Sequence, residues 1–406
     1  MTSPKTAGPS PYRSSILLSY LCTMLLWGAV YIYMPILSSY AKLVSGSLQA
    51  AGLVIGAYGL SQIILRIPLG VWSDRLRRRK PFILIGFVFD GVANLGLILS
   101  GSTWMLFLSV FTSGIAASMW VPFTVLYSSY FSLSRIARSM SLIMFFSRLA
   151  QICANYTGGK IADAWGWTVP FYVGLGLSVL GLLLAARISE VRPEKSSDLT
   201  LQKVLRVGRN RTLLTASFLC ILMQFSNFAI AYGFSPIFAQ QLGASKGDLG
   251  VLLFWYLLPN LAGTLLSGTF IRRYLADRWI LFVGFLLSSG AVFSIPLTGR
   301  LSTLFLVQAV NGTGVGLVFP LLMGLSIQSI AREQQATAMG FFQSLYAIGM
   351  SVGPILSGIF AQEIGLTSVF VLNGILVFIG AVFSLVRVPS TPEERMAEED
   401  KESEAE

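Results

Sequence analysis

The chain is expected to be an all-α membrane protein: twelve transmembrane helices in two six-helix bundles related by a pseudo-two-fold. Three observations lead there. Of the 406 residues, 54% are hydrophobic and only 12% charged, about half the charge of a soluble domain. Apolar runs of about 20 residues recur along the whole chain, each long enough to cross the hydrocarbon core. There, only a helix or a closed barrel satisfies its own backbone. Finally, a skeleton of glycine, tyrosine and proline is written twice. Gly52, Tyr58 and Gly70 recur 198 residues on as Gly250, Tyr256 and Gly268, and Gly114 and Pro122 as Gly312 and Pro320. Gly159 and Gly166 recur 199 residues on as Gly358 and Gly365. A bundle copied in the same direction gives two halves facing each other across an axis along the bilayer normal, an arrangement that serves alternating access.

Along the chain, residues 1–15 are polar and read as a disordered cytoplasmic lead. The first span, 16–37, is too long for a signal peptide and has no small-residue cleavage site after it; Trp27 and Tyr31 share one of its faces. The second, 48–70, carries Arg66 near its expected end, where a long side chain can snorkel to the interface. In the third, 82–100, Asp90 stands about 13 Å above Pro81 at 1.5 Å per residue. The fourth, 103–129, shows Trp120, Thr124 and Tyr127 on one face. The fifth, 138–160, holds Arg148 about 15 Å above Arg138, and the sixth is 167–187. A basic stretch, 188–212, then interrupts the apolar rhythm as an inter-bundle linker; its part from Leu199 to Val207 suits a short helix on the membrane surface or an unstructured tether. Six more spans follow: 213–240 with Gln224 and Asn227, 249–271, 279–298, 302–330 with Gln308 and Asn311, 335–361 with Gln343 and Tyr346, and 366–387. The second bundle thus occupies 213–388, and the acidic tail 389–406 reads as solvated and disordered.

The net charge of +11 is a matter of topology. With a cytoplasmic N-terminus, inside segments hold 23 of the 29 Lys and Arg residues, and the outside loops hold only Lys42, Lys160, Lys246 and Arg300. This positive-inside asymmetry puts both termini in the cytoplasm and argues against nucleic acid as a partner. The three cysteines, Cys22, Cys153 and Cys220, have no metal-ligand spacing. Histidine is absent, which excludes every histidine-dependent acid–base or nucleophilic mechanism. No P-loop pattern occurs, no cofactor or metal is implied, and an enzyme is not expected.

The loop after the second span reads Gly70-Val-Trp-Ser-Asp74-Arg75-Leu-Arg77-Arg78-Arg79-Lys80. Its Gly70, Asp74, Arg75, Arg78 and Arg79 match the signature loop of the major facilitator superfamily, which this chain resembles over residues 16–388; Arg77 replaces the usual second glycine. The resemblance implies a conformational latch between the bundles on the cytoplasmic side, built on Gly70, Asp74, Arg75 and Arg78. Physically, Asp74 would face the positive N-terminus of helix eleven near Ala336. The matching loop of the second half carries Arg272 where the aspartate would stand. Helix eleven has Gly340, Gly349, Gly353-Pro354 and Gly358, similar to the fifth-helix motif of drug:proton antiporters but in the other half. Close packing between the bundles through small residues accounts for it better.

By the same resemblance, helices one, four, seven and ten line a central cavity. The candidate substrate contacts are Trp27, Tyr31, Trp120, Thr124, Arg148, Gln224, Asn227, Gln308, Asn311, Gln343 and Tyr346, since polar and aromatic side chains at helical spacing seldom face lipid. Asp90, the single carboxylate within a span, is the candidate for proton coupling. Asp90 and Arg148 are at similar depth and would form a permanent pair if helices three and five were adjacent there; alternatively Arg148 faces the cavity and attracts an anionic group on the substrate, or alternates between substrate and Asp90. The expected function is secondary transport of a small organic molecule across the cell membrane, by efflux coupled to proton exchange. The alternatives are uptake or exchange of an organic anion anchored by Arg148, and a non-transporting membrane sensor. The chain is expected to act as a monomer, with a small-molecule substrate, protons and the bilayer as its partners.

Overall fold

The computed structural model describes residues 12–76, 78–191, 207–269, 271–331 and 334–388. Twelve helical passes run through them: α1 Arg13–Ser45, α2 Leu48–Leu76, α3 Lys80–Ile98, α4 Thr103–Ser128, α5 Leu133–Trp165 and α6 Val169–Ala185, then α7 Arg211–Gln241, α8 Lys246–Thr269, α9 Asp277–Leu297, α10 Leu301–Gln328, α11 Gln335–Glu363 and α12 Leu366–Arg387. Ten of them are long and apolar enough to cross a membrane. The other two are α6, with 17 residues, and α5, whose sequence carries Arg135, Arg138, Arg148, Lys160 and Asp163. The lead before residue 12, most of the linker including Leu199, and the acidic tail lie outside the described residues.

Turn chemistry ends the helices where the sequence calls for it. Gly46 closes α1 in the left-handed region at φ 69°. Gly166 and Gly365, one of the repeat pairs, end α5 and α11 at φ 101° and 114°, backbone that side-chain-bearing residues avoid. Ser102 caps α4 by accepting from Met105 N at 3.3 Å, and Asn210 caps α7 by accepting from Leu213 N at 2.9 Å. Glu190, just past α6, accepts from the N–H groups of Arg79 and Lys80 at 2.9 Å each. It thereby places a carboxylate on the positive end of α3 and ties the basic loop to its own bundle.

Two passes bend midway, and for one reason. Pro35 and Pro236 have no N–H to give, and their rings displace the carbonyls four residues back, those of Tyr31 and Tyr232. In α1 the helix breaks at Ile32–Tyr33 and restarts at Met34. In α7 the strain spreads into a π-helical segment, Phe228–Phe234, a distortion that often marks function. Trp27, Tyr31 and Pro35 recur 201 residues on as Phe228, Tyr232 and Pro236.

Within each bundle the repeat glycines do equivalent jobs. A side chain at Gly114 would strike the Tyr58 carbonyl, and one at Gly312 the Tyr256 carbonyl. Between the bundles, α2 packs along α11 and α5 along α8. Gly52 meets Gly358 and Gly159 meets Gly250: a Cβ on Gly52 would stand 2.9 Å from Gly358 Cα, and one on Gly159 2.7 Å from Gly250 Cα. Each pair is the repeat image of the other, so the two-fold written in the sequence is realised as two equivalent seams. Arg13 and Arg387 mark one face of the molecule, the terminal face. The glycine seams lie toward the other, distal face, where Ser47 Oγ and Leu48 N also donate to Gln362 Oε1 at 3.2 and 3.0 Å.

Candidate functional site

A cavity of about 160 Å³ lies between the bundles at mid-depth. Its wall comes from α1 (Trp27, Tyr31), α2 (Tyr58, Gln62, Arg66), α4 (Trp120) and α5 (Met144, Ser147, Arg148, Gln151) on one side. On the other side stand α7 (Gln224, Asn227, Phe228, Tyr232), α8 (Tyr256, Leu257, Asn260), α10 (Val315, Phe319, Met323) and α11 (Gln343, Tyr346, Met350). The helix bends place its floor. Tyr31 and Tyr232, the residues whose carbonyls the prolines release, meet across the two-fold with ring centroids 5.9 Å apart. Tyr58 stacks on Phe228 at 5.8 Å, Phe228 leans on Tyr232 at 5.3 Å, and Trp27 sets its edge to Trp120 at 5.4 Å.

The polar groups are unevenly shared. Arg66 is 9% exposed and fully engaged on one side of its guanidinium: Nη1 donates to Tyr346 Oη at 2.7 Å and Gln343 Oε1 at 3.1 Å, and Nη2 donates to Gln62 Oε1. It also sits 5.2 Å above the Tyr346 ring, a cation–π contact. Arg66 therefore bridges α2 to α11 across the bundle boundary. Arg148 instead makes one described bond, Nη1 to Gln151 Oε1 at 3.2 Å, and shares the cavity wall with Tyr31, Tyr232 and Tyr256. The buried indole N–H of Trp27 has no partner among the described residues. Opposite, Tyr256 donates to Asn227 Oδ1 at 2.6 Å, and Asn227 Nδ2 donates to Gln224 Oε1 at 2.9 Å. No aspartate or glutamate is among the described lining residues.

Of the candidates named from sequence, Trp27, Tyr31, Trp120, Arg148, Gln224, Asn227, Gln343 and Tyr346 stand on the cavity wall. Thr124 does not; its hydroxyl returns to the Val121 carbonyl at 2.9 Å. Gln308 and Asn311 are turned into the second bundle, where Gln308 donates to Ser235 Oγ at 2.6 Å and Asn311 accepts from Ser288 Oγ at 2.7 Å. Asp90 is wholly buried but off the cavity: α3 packs chiefly on α4 and α6, and among the described residues the side-chain partner of Asp90 is Ser178 Oγ at 3.0 Å while that of Arg148 is Gln151. The Asp90–Arg148 pair is thus not formed. Arg66 departs from expectation too, pointing into the cavity instead of snorkelling, because α2 continues to Leu76 and leaves Arg66 about 15 Å from its end. Arg75, in the last turn of α2, and Arg78, in the loop after it, are exposed; Gly70 lies within α2, and the side chains of Asp74 and Ala336 lie outside the described residues.

Sequence reasoning missed Tyr58 and Tyr256, Gln62 and Asn260, Met144, Ser147 and Gln151, and, on α11, Met350. The signal existed. Tyr58/Tyr256 and Gln62/Asn260 are spaced 198 apart, and Met144/Gln343, Ser147/Tyr346 and Gln151/Met350 are spaced 199 apart. The cavity wall is itself a repeat.

The major facilitator superfamily model matches residues 17–221 and 216–405. An uncharacterised MFS-type transporter of Methanocaldococcus jannaschii is 24% identical over 367 residues, 87% of this chain and 93% of its own length. A probable sugar efflux transporter of Mannheimia succiniciproducens is 24% identical over 375 residues, 88% of each chain. The crystal structure of the nucleoside transporter NupG superposes with a TM-score of 0.75 at 14% identity, covering 92% of this chain and all of that one. With two repeat-related bundles enclosing a cavity at mid-membrane, and a family match over nearly its whole length, this chain belongs to the major facilitator superfamily: it is a multi-pass membrane transporter of small molecules and not an enzyme.

Proposed function

We propose that the chain exports a small organic anion across the cell membrane by alternating access, with both termini in the cytoplasm. One observation carries this reading: the cavity presents two guanidinium groups and, among the described lining residues, no carboxylate. An isolated cation in a low-dielectric site is costly, and a substrate bearing the opposite charge offsets that cost when it binds. Export as the direction takes its support from the efflux name of the relative from Mannheimia succiniciproducens. The basic loop from Asp74 to Arg78 would latch the bundles on the cytoplasmic side. Counterflow into proteoliposomes is the test. Benzoate should compete with the transported species, a lipophilic cation such as tetraphenylphosphonium should not, and the reverse order would sink the anion reading.

Proton exchange is the second reading, and one contact suits it. The Ser178 hydroxyl lies 3.0 Å from Asp90 Oδ2 and 2.8 Å from the Gly174 carbonyl. A hydroxyl has one hydrogen. An ionised Asp90 takes that hydrogen from Ser178, whereas a protonated Asp90 could donate to Ser178 Oγ and leave the hydroxyl to the Gly174 carbonyl, so the contact can serve both forms. Asp90 would then be a proton carrier displaced from the substrate site, coupled through α3 and α6. Transport by wild type should respond to an imposed pH gradient and that of Asp90→Asn should not; indifference of both would dismiss the coupling.

A further inference from the structure

The proposed function leaves the chemical class of the anion open, and three features of the cavity narrow it. This step rests on the anion reading above. The first feature is size. A cavity of about 160 Å³ is close to the engineered cavity of ~150 Å³ that takes up benzene; in this conformation there is room for one ring and a small substituent. The second is shape. The floor is a cradle of aromatic faces and edges, Tyr31 against Tyr232 and Tyr58 stacked on Phe228, and rings prefer offset or edge-on partners at such centroid distances. The third is the supply of unused donors. Arg66 spends its Nη groups on Gln62, Gln343 and Tyr346. Arg148 has a single described acceptor in Gln151 out of the five donors a guanidinium carries. The indole N–H of Trp27, 7% exposed, has none.

We infer that the cavity selects a single-ring aromatic carboxylate, its ring held in the tyrosine and phenylalanine cradle and its carboxylate taken by Arg148 with the Trp27 N–H as a further donor. The two arginines divide the labour. Arg148 is the substrate anchor, and Arg66 is the bridge that holds α2 to α11 around the occupied site. A bidentate carboxylate suits the planar fork of Arg148, and the neutral aromatic and amide wall of the second bundle meets the ring without offering a competing charge.

Four probes of the purified full-length protein in nanodiscs test this. Benzoate has ring and charge, benzamide the ring alone, acetate the charge alone, and cyclohexanecarboxylate the charge with a non-aromatic ring. Titration calorimetry is expected to show benzoate bound at least tenfold more tightly than any of the other three. Arg148→Gln should lose benzoate affinity tenfold or more while Arg148→Lys retains part of it, and the wild-type ranking stands even if a variant does not fold. Benzamide or acetate binding as tightly as benzoate would overturn the inference, as would the absence of benzoate binding. Parallel counterflow in proteoliposomes separates the levels. If an uncharged or cationic solute moves and benzoate does not, the inference fails and the carrier assignment stands; if another organic anion moves and benzoate does not, the anion reading also stands.

Discussion

At the scale of single residues, the two cavity arginines are chemically identical and physically opposite. Arg66 is held by charge-assisted bonds, each worth about 1.5–3 kcal/mol, to residues on both bundles. Arg148 is tethered once and faces open space. Arg66→Lys keeps the charge but loses the planar fork, so it should slow turnover several-fold while half-saturating substrate concentration changes little. Arg148→Lys should do the reverse, raising half-saturation with turnover nearly kept. Steady-state transport at varied substrate concentration distinguishes them, and identical effects of both substitutions would contradict the division. Asn227 Oδ1 accepts the Tyr256 hydroxyl at 2.6 Å. Tyr256→Phe should therefore cost less than Asn227→Ala, which leaves a buried phenol unpaired; thermal unfolding with and without substrate would show the order.

At the scale of helices, what could be read from the chain and what could not divide along a physical line. Periodicity found Trp27, Tyr31, Gln343 and Tyr346, because a polar face on a membrane helix must meet protein or water. It could not say which neighbour. Gln308 and Asn311 turned inward to Ser235 and Ser288 because α10 packs on α7 as well as on α9, and a face between two helices has no mark of its own in sequence. Arg66 was misjudged because the expected end of the second span stopped at residue 70 while the helix runs to Leu76. The repeat, read as a duplicated bundle, also encoded the cavity wall. The glycine seams make the element-level prediction. A valine at Gly52 or Gly250 has no room beside Gly358 or Gly159. Overpacking costs about 1–3 kcal/mol, and each ~1.4 kcal/mol is tenfold in an equilibrium. Either substitution should shift the carrier toward its distal-open form, seen as faster labelling from the distal side of a cysteine placed at Met350. Unchanged labelling would mean that the seams do not separate during transport.

At the scale of the molecule, the two seams and the two broken helices form one mechanical system. Gly52–Gly358 and Gly159–Gly250 close the distal half, Tyr31 and Tyr232 meet beneath them at the proline bends, and Arg66 bridges α2 and α11 on the terminal side of that pair. Rocking one bundle against the other must open one face as the other closes, and a ligand shifts that balance only by its differential affinity for the two states. Spin labels at Trp165 and Ile364 report the distal face, and labels at Leu76 and Leu275 the terminal face; all four side chains are exposed. Pulsed electron–electron resonance on both pairs, with and without substrate, is the direct measurement. Opposed changes, one distance growing as the other shrinks, are predicted; two distances that stay fixed or move together under every condition would contradict a carrier built from two rocking halves.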